Sequence, residues 1–579
     1  MTNATDQHHL GSTTHWWETA VVYQVYVRSF ADANGDGIGD LAGITSRLPY
    51  LADLGVDALW LTPCFPSPQH DHGYDVADYF DIEPAYGDLA IFDTMVSRAR
   101  EHGIRILMDV VPNHCSWDHE WFKAALAAAP GSPERERFYF RDGRGADGSE
   151  PPNNWQAVFG GPAWHRVVDA DGTPGQWYLQ TFTPQQPDWN WGCADVVDYF
   201  DRMITFWFDR GVDGFRVDAV AVLGKAPGLP DAPPVPDDVR PTDRALRNPH
   251  THFRPEGHDV WRRWRKLVDG YSAEHPGREV FTIAEAYTPR QPEVLLQFQN
   301  HEEFHQVFAF DFMLAPWNVH DLRESIDATV RALSPEGLVP AWTLNNHDAQ
   351  RAVTRYGRAD AHDPASWTGN NLVYTDAPID LDLGARRARA IAMILLALPG
   401  SAYLYQGEEL GLPEVLDIPA EARQDPIFFR TNGAEIGRDG CRVPLPWTTA
   451  EDGAHGFSPI GSAAPWMPQP SAWGQYAADA QDGVDGSMLE LYRRAISVRR
   501  RHGDLRGGAL RWIAVEHPTL LAFERGEITV LLNVGSDPVE LSGIVDGTTR
   551  VVVASDPETS SASVLPPDTA IWLARTDPT

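Results

Sequence analysis

Residues Ile104–Val111 read IRILMDVV. A strand with one face in water alternates apolar and polar residues. This run is apolar almost throughout, as a strand covered on both faces must be. Seven further runs have the same character: VVYQVYVRSF (21–30), ALWLTP (58–63), GFRVDAV (214–220), EVFTIAEAY (279–287), QVFAFDFML (306–314), PAWTLNNHD (340–348) and GSAYLYQGEEL (400–410). Helical patterns lie between them. In 87–103, Leu89, Phe92, Val96 and Ala99 recur at helical spacing, with Asp88 as N-cap and Gly103 as the stop. Before the fourth strand, Phe200, Ile204, Trp207 and Phe208 form a second apolar stripe closed by Gly211. Eight strand–helix alternations predict an α/β chain folded as a parallel (β/α)8 TIM barrel.

Two segments fall outside that rhythm. From Cys115 to Cys193 the chain is rich in Trp, Pro, Gly and Asn and too long for a βα loop. It reads as an inserted domain after the third strand. Beyond about Gly507, period-two runs such as TLLAFER and ITVLLNV predict a C-terminal antiparallel β domain. The expected domains are the barrel at 15–114 and 194–500, the insert at 115–193 and the β domain at 501–579.

At 579 residues the chain is expected to hold two to four domains. Its formal charge of −34 argues against nucleic acid and anionic membrane surfaces as partners. The N-terminus lacks the basic start and apolar core of a signal peptide. The longest apolar run, AIAMILLAL (390–398), is short of the roughly 20 residues that span a bilayer. Four scattered cysteines without CxxC spacing predict a cytoplasmic protein with free thiols. A Cys115–Cys193 disulfide bracketing the insert is the disfavoured alternative. Oligomeric state is not encoded legibly.

Catalytic groups of such a barrel sit at the C-terminal ends of its strands. The polar residues there are Asp109, Asn113 and His114 after the third strand, Arg216 and Asp218 on the fourth, Glu285 after the fifth, and His347 and Asp348 after the seventh. There is no Cys/His cluster, no phosphate-binding glycine loop and no nucleophile-elbow serine. Converging carboxylates without a redox cofactor point to acid/base or carboxylate-nucleophile chemistry, with glycoside hydrolysis the leading case. The 21 tryptophans and 17 tyrosines suit sugar stacking, although most belong to the core, Trp16 and Trp17 among them.

One acidic stretch, DANGDGIGD (32–40), resembles half of an EF-hand loop. Asp32, Asn34, Asp36, Ile38 (through its carbonyl) and Asp40 fit ligand positions 1, 3, 5, 7 and 9. Position 12 falls on Gly43, so the calcium-sensor reading fails and a hard-cation site is the alternative.

The motifs DVVPNH (109–114), GFRVDAV, TIAEAY (282–287), NNHD (345–348) and QPDWNW (186–191) resemble, in order, the conserved regions of the alpha-amylase family. The resemblance is strongest to the branch of oligo-1,6-glucosidases, bacterial alpha-glucosidases and sucrose isomerases. It runs from about Trp17 into the C-terminal domain. It implies that Asp218 is the nucleophile, Glu285 the general acid/base and Asp348 the transition-state stabiliser of a retaining enzyme. His114, Arg216 and His347 look like its glucose ligands. Asp71 and Tyr74 of DHGY look like the pair closing that subsite, and Arg442 of GRDGCRVPLPW completes it. Phe159, Phe182 and Gln186 align with pocket residues of the insert. The acidic loop is similar to one that holds a structural Ca2+ or Mg2+.

Chemistry gives these roles sense. Arg216, two residues before Asp218 on one strand, shares its face and should keep it ionised, while proximity to Asp218 should raise the pKa of Glu285. Neutral His114 and His347 should donate to sugar oxygens. The expected activity is exo-acting release of α-1,4-linked glucose from maltose and short α-glucosides, with transglucosylation. Sucrose isomerase, trehalose synthase and oligo-1,6-glucosidase activities are the alternatives. A non-catalytic amylase-like transporter subunit fits poorly, because all three carboxylates are present. Ala219 is expected to favour maltose: Val at that place accompanies α-1,6 activity in the branch resembled.

Overall fold

The computed structural model describes residues 7–8, 15–169, 172–236, 238–287, 291–363, 377–545 and 549–575. Eight parallel strands close into a barrel: β1 (Val21–Val25), β2 (Ala58–Leu61), β3 (Arg105–Val110), β4 (Gly214–Val217), β5 (Phe281–Ala284), β6 (Gln306–Ala309), β7 (Ala341–Thr343) and β8 (Ser401–Tyr405). Each pairs in parallel with its sequence neighbour, and β8 pairs with β1. Nearly every strand residue is buried, which is why the runs read as continuously apolar.

The strands are shorter than those runs. The run 306–314 extends only to Ala309 and then turns into a helical segment, Phe310–Met313. The run 340–348 is extended only to Thr343, and 400–410 only to Tyr405. The apolar runs mark burial rather than extension, because the βα loops of the catalytic face are themselves buried.

The helices follow their predicted caps. Helix α1 (Leu89–Glu101) is capped by Asp88, whose carboxylate accepts from Ile91 N at 2.8 Å. Gly103 takes φ +73° just past its end. Helix α2 (Ala194–Asp209) buries Phe200, Ile204, Trp207 and Phe208 against the barrel. Helix α3 (Leu381–Ala397) is buried along most of its length, between the barrel and the C-terminal sheet.

The insert rises between β3 and α2. It carries a three-stranded antiparallel sheet with Pro174–Leu179 central between Phe140–Arg141 and Trp164–Val168. Trp155, Trp164 and Leu179 form its own small core together with Leu229 from the loop after β4. The C-terminal sheet runs Leu510–Trp512, Leu520–Arg525, Ile528–Asn533, Thr569–Arg575, Thr549–Ala554, all antiparallel. Gln7–His8 adds an edge strand to it, a pairing that no pattern in the sequence announced. All four cysteines are free thiols, so Cys115 and Cys193 do not pair. Among the described residues no helix is long and apolar enough to cross a membrane.

Candidate active site

The barrel register brings the charged residues to one end. Asp109 on β3 lies opposite Arg216 on β4, and Val217 lies opposite Ala284 on β5. The next residues of the latter two strands are Asp218 and Glu285. Their backbones are fixed by Asp218 N donating to Val110 O and Glu285 N to Val217 O, both at 2.9 Å.

Arg216 is the hub. Its Nη1 donates to Asp218 Oδ1 at 2.6 Å and to Asp109 Oδ1 at 2.9 Å, and its Nη2 lies 3.8 Å from Glu285 Oε2. Asp109 is fully buried and also accepts from Trp60 Nε1 at 3.1 Å and the Tyr74 hydroxyl at 3.0 Å. Burial pushes the carboxyls of Asp109 and Asp218 up to about 7, with Arg216 pulling both back. Burial thus opposes Arg216 in keeping Asp218 ionised. Asp218 makes the shorter contact and has the greater access to water, which places the negative charge available for attack there. Glu285 is also raised, by burial first and opposed by Arg216. Proximity to Asp218 is not the leading cause.

Asp348 is set the other way. Its Oδ1 accepts from Arg438 Nη1 at 3.0 Å and Arg442 Nη2 at 2.8 Å. Burial opposes ionisation there, but His347, Arg438 and Arg442 together hold the carboxyl well below the usual range. Three carboxyls in one pocket thus differ in charge state by environment alone, as a division of acid and anion roles requires.

A pocket with about 150 Å3 of free space opens over these groups. Asp71, Tyr74, His114, Phe159, Phe182, Asp218, Ala219, Glu285, His347 and Asp348 line it, as the sequence placed them. Tyr74 stacks on His347, with ring centroids 5.2 Å apart and planes 4° apart. Gln24 Nε2 lies 2.7 Å from His347 Nδ1, and His347 Nε2 lies 3.4 Å from Asp348 Oδ2. Burial lowers both histidines, His114 to about 4, so both are neutral. His114 Nε2 is already engaged with Tyr74 O at 3.0 Å, so the expected donor to sugar is committed within the protein.

Three predicted pocket residues lie behind the wall. Arg216 is beneath Asp218. Gln186 is fully buried and donates to Asp71 Oδ2 at 3.0 Å, so it acts through Asp71. Arg442 is also fully buried, with Nε on His347 O at 2.8 Å. The arginine that faces the pocket is Arg438, four residues earlier, which the sequence reading missed. It bridges Asp348, Asp71 (3.0 Å) and Asp425 (2.7 Å) and lies 4.7 Å from the Phe159 ring centroid. The turn Asp439–Cys441 between the two arginines sends one forward and the other back. Of the other missed wall residues, Leu246, Tyr287, Phe310, Met313 and Ile427 are apolar or aromatic and carry no sequence signal apart from ordinary core, while Thr242, His252 and Asn346 are polar.

The acidic loop is held by its own backbone. Asp32 accepts from Gly35 N at 2.6 Å and Gly37 N at 2.9 Å. Asp40 accepts from Gly43 N at 2.6 Å and Ala33 N at 2.9 Å, capping helix Leu41–Leu54. Asn34 and Asp36 cap Asp36 N and Ile38 N, both at 2.8 Å. Among the described residues no three Asp, Glu, His or Cys side chains converge as a metal site. No catalytic step involves this loop.

Residues 24–508 match the alpha amylase catalytic domain. The chain is 34% identical to a probable alpha-glucosidase of Rhizobium meliloti, over 88% of this chain and 87% of that one. It is 32% identical to an oligo-1,6-glucosidase of Parageobacillus thermoglucosidasius, over 88% of each. The crystal structure of the alpha-glucosyl transfer enzyme XgtA superposes with a TM-score of 0.81 at 31% identity, covering 97% of this chain and all of that one.

Proposed function

The chain belongs to the alpha-amylase family of glycoside hydrolases, and on that premise we propose that it is a retaining alpha-glucosidase releasing terminal α-1,4-linked glucose from maltose and short α-glucosides. The observation that carries this reading is the guanidinium shared by Asp218 and Glu285. Two carboxyls on one arginine suit the close spacing of double displacement, about 5–5.5 Å, rather than the wider gap that admits a water.

In this mechanism Asp218 attacks the anomeric carbon as Glu285 protonates the departing glycosidic oxygen. A covalent glucosyl-enzyme forms. Glu285, now ionised, takes a proton from water, which displaces Asp218 with a second inversion. Asp348, kept anionic by two arginines, grips the ring hydroxyls and offsets the oxocarbenium charge. Its hold on Arg438 and Arg442 costs no reorganisation during the reaction. Asp71, locked by Arg438 and Gln186, and the Tyr74–His347 stack fix the glucose ring.

Transglucosylation accompanies hydrolysis, a reading supported by the likeness to the alpha-glucosyl transfer enzyme. The free thiols support a cytoplasmic location. The acidic loop is proposed as a structural Ca2+ or Mg2+ site on its donor chemistry alone, all hard oxygens.

Chromatography after separate incubation with maltose, isomaltose, sucrose and trehalose tests the activity. Glucose from maltose, with transfer products at high sugar, is expected. Rearranged disaccharide from sucrose or maltose would establish isomerase or trehalose synthase chemistry instead.

A further inference from the structure

Three segments frame the pocket mouth: the insert near Phe159, the loop after β4, and the segment after β8 around Asp425–Arg438. Each is bonded to the others. Trp155 Nε1 donates to Pro230 O at 2.8 Å, and Asn153 Nδ2 to Leu229 O at 3.1 Å, joining insert to β4 loop. Thr242 Oγ1 donates to the Glu435 carboxylate at 3.0 and 3.1 Å, joining β4 loop to β8 segment. Arg430 Nε donates to Gly160 O at 2.9 Å, and its Nη2 donates to the same carbonyl, joining β8 segment to insert.

The Arg430 contact lies at the outer edge of the pocket. Phe159, just before Gly160, and Ile427, one turn before Arg430, both line the wall. On the other side Gly161 and Pro162 are exposed, and Phe429 is 57% exposed. The guanidinium therefore ties the insert to the β8 segment beside the pocket wall. Gly161 carries it closely: a Cβ there would come within 3.1 Å of Arg430 Nη2.

We propose that Arg430, clasping Gly160, is a positioning residue that sets the substrate's chain length by closing the mouth behind the second sugar. This rests on the alpha-glucosidase reading. A disaccharide is complete beneath the clasp, whereas a third sugar must pass between Arg430 and the insert. The clasp touches no reacting atom, so its loss should relieve long substrates without changing turnover of short ones.

The test is kcat/KM for maltose and maltotetraose on wild type, Arg430→Ala and Arg430→Met. The Met variant keeps the aliphatic stem and loses only the donors, so it serves if Arg430→Ala fails to fold. Wild type should favour maltose. Both variants should leave kcat on maltose unchanged and raise the maltotetraose-to-maltose ratio by about tenfold, the lower end of what one pocket contact discriminates. The gain should appear in KM for the longer substrate. An unchanged ratio in a folded variant, a wild type indifferent to chain length, or an equal fall of kcat on both substrates would overturn the clasp. A wild type that hydrolyses maltose while the ratio stays fixed leaves the alpha-glucosidase reading standing and removes only the clasp. No release of glucose from any α-glucoside would remove both.

Discussion

The backbone N–H of Ala219 donates to Glu285 Oε2 at 2.9 Å, so the residue following one catalytic carboxyl holds the other. Ala219 makes that bond from the left-handed region, φ 49° and ψ 40°, which a non-glycine residue adopts at a cost. The 219 position thus does two things: its methyl borders the pocket and its amide aims the acid.

This changes what Ala219→Val should do. On sequence grounds the bulk would cost maltose and spare isomaltose. A β-branched residue in the left-handed region is strained, so the turn must shift and carry its N–H off Glu285. The expected result is a parallel loss of kcat/KM on both disaccharides together with a lower Tm. Ala219→Gly should be neutral to stabilising by about 0–1.6 kcal/mol, left-handed relief of about 1–2 less an entropy term of about 0.4–1. A loss confined to maltose at unchanged Tm would restore the bulk argument.

The pH profile should report the buried pair. Attack needs Asp218 ionised and departure needs Glu285 protonated. Because burial raises Asp218 to about 7, activity should fall as pH drops through the neutral range, where protons return to the dyad. Glu285 is raised as well, so the alkaline fall should also lie above the usual carboxylate range. A kcat/KM profile flat down to about pH 4, the range of an ordinary carboxylate, would contradict the assigned desolvation.

Much of this site was legible before folding. Strands buried on both faces announce themselves as apolar runs, and the polar residue ending each run must face the mouth, which gave Asp218 and Glu285. Arg438 was not legible. It and Arg442 sit four residues apart in an irregular segment with no periodicity to say which faces in, and only the turn at Asp439–Cys441 decides it. Gln186 was placed in the wall because sequence cannot separate a residue touching the pocket from one touching Asp71. The left-handed turn at Ala219 and the Arg430 clasp depend on where three remote loops meet, and no local signal carries that. The short strand at Gln7–His8 was hidden for the same reason: its partner lies some five hundred residues away.

Glu285→Gln separates the two chemical steps. It should cut kcat/KM for maltose by about 100- to 10,000-fold. A substrate whose leaving group needs no proton should keep its first step, seen as a burst of released aglycone followed by slow turnover. Maltose hydrolysis near the wild-type rate would refute the acid/base role.

Chelation tests the acidic loop. Removing a bound ion should lower Tm with little change in kcat, and the stability lost is about 2.7 kcal/mol where the ion stood at a hundred times its Kd. Substituting Asp32 or Asp40 would not discriminate, because both also hold backbone N–H groups. Metal analysis that finds no ion on the purified protein, or an unchanged Tm once the ion is gone, would leave the loop stapled by its hydrogen bonds alone.

The central claim is that Asp218 becomes covalently glucosylated. A fluorinated glucosyl fluoride that reacts quickly and hydrolyses slowly should trap that species, and peptide mass spectrometry can locate it. The account predicts one glucosyl group, on the carboxylate of Asp218. Label on Glu285 or Asp348, or steady turnover with inverted product and no adduct, would contradict it.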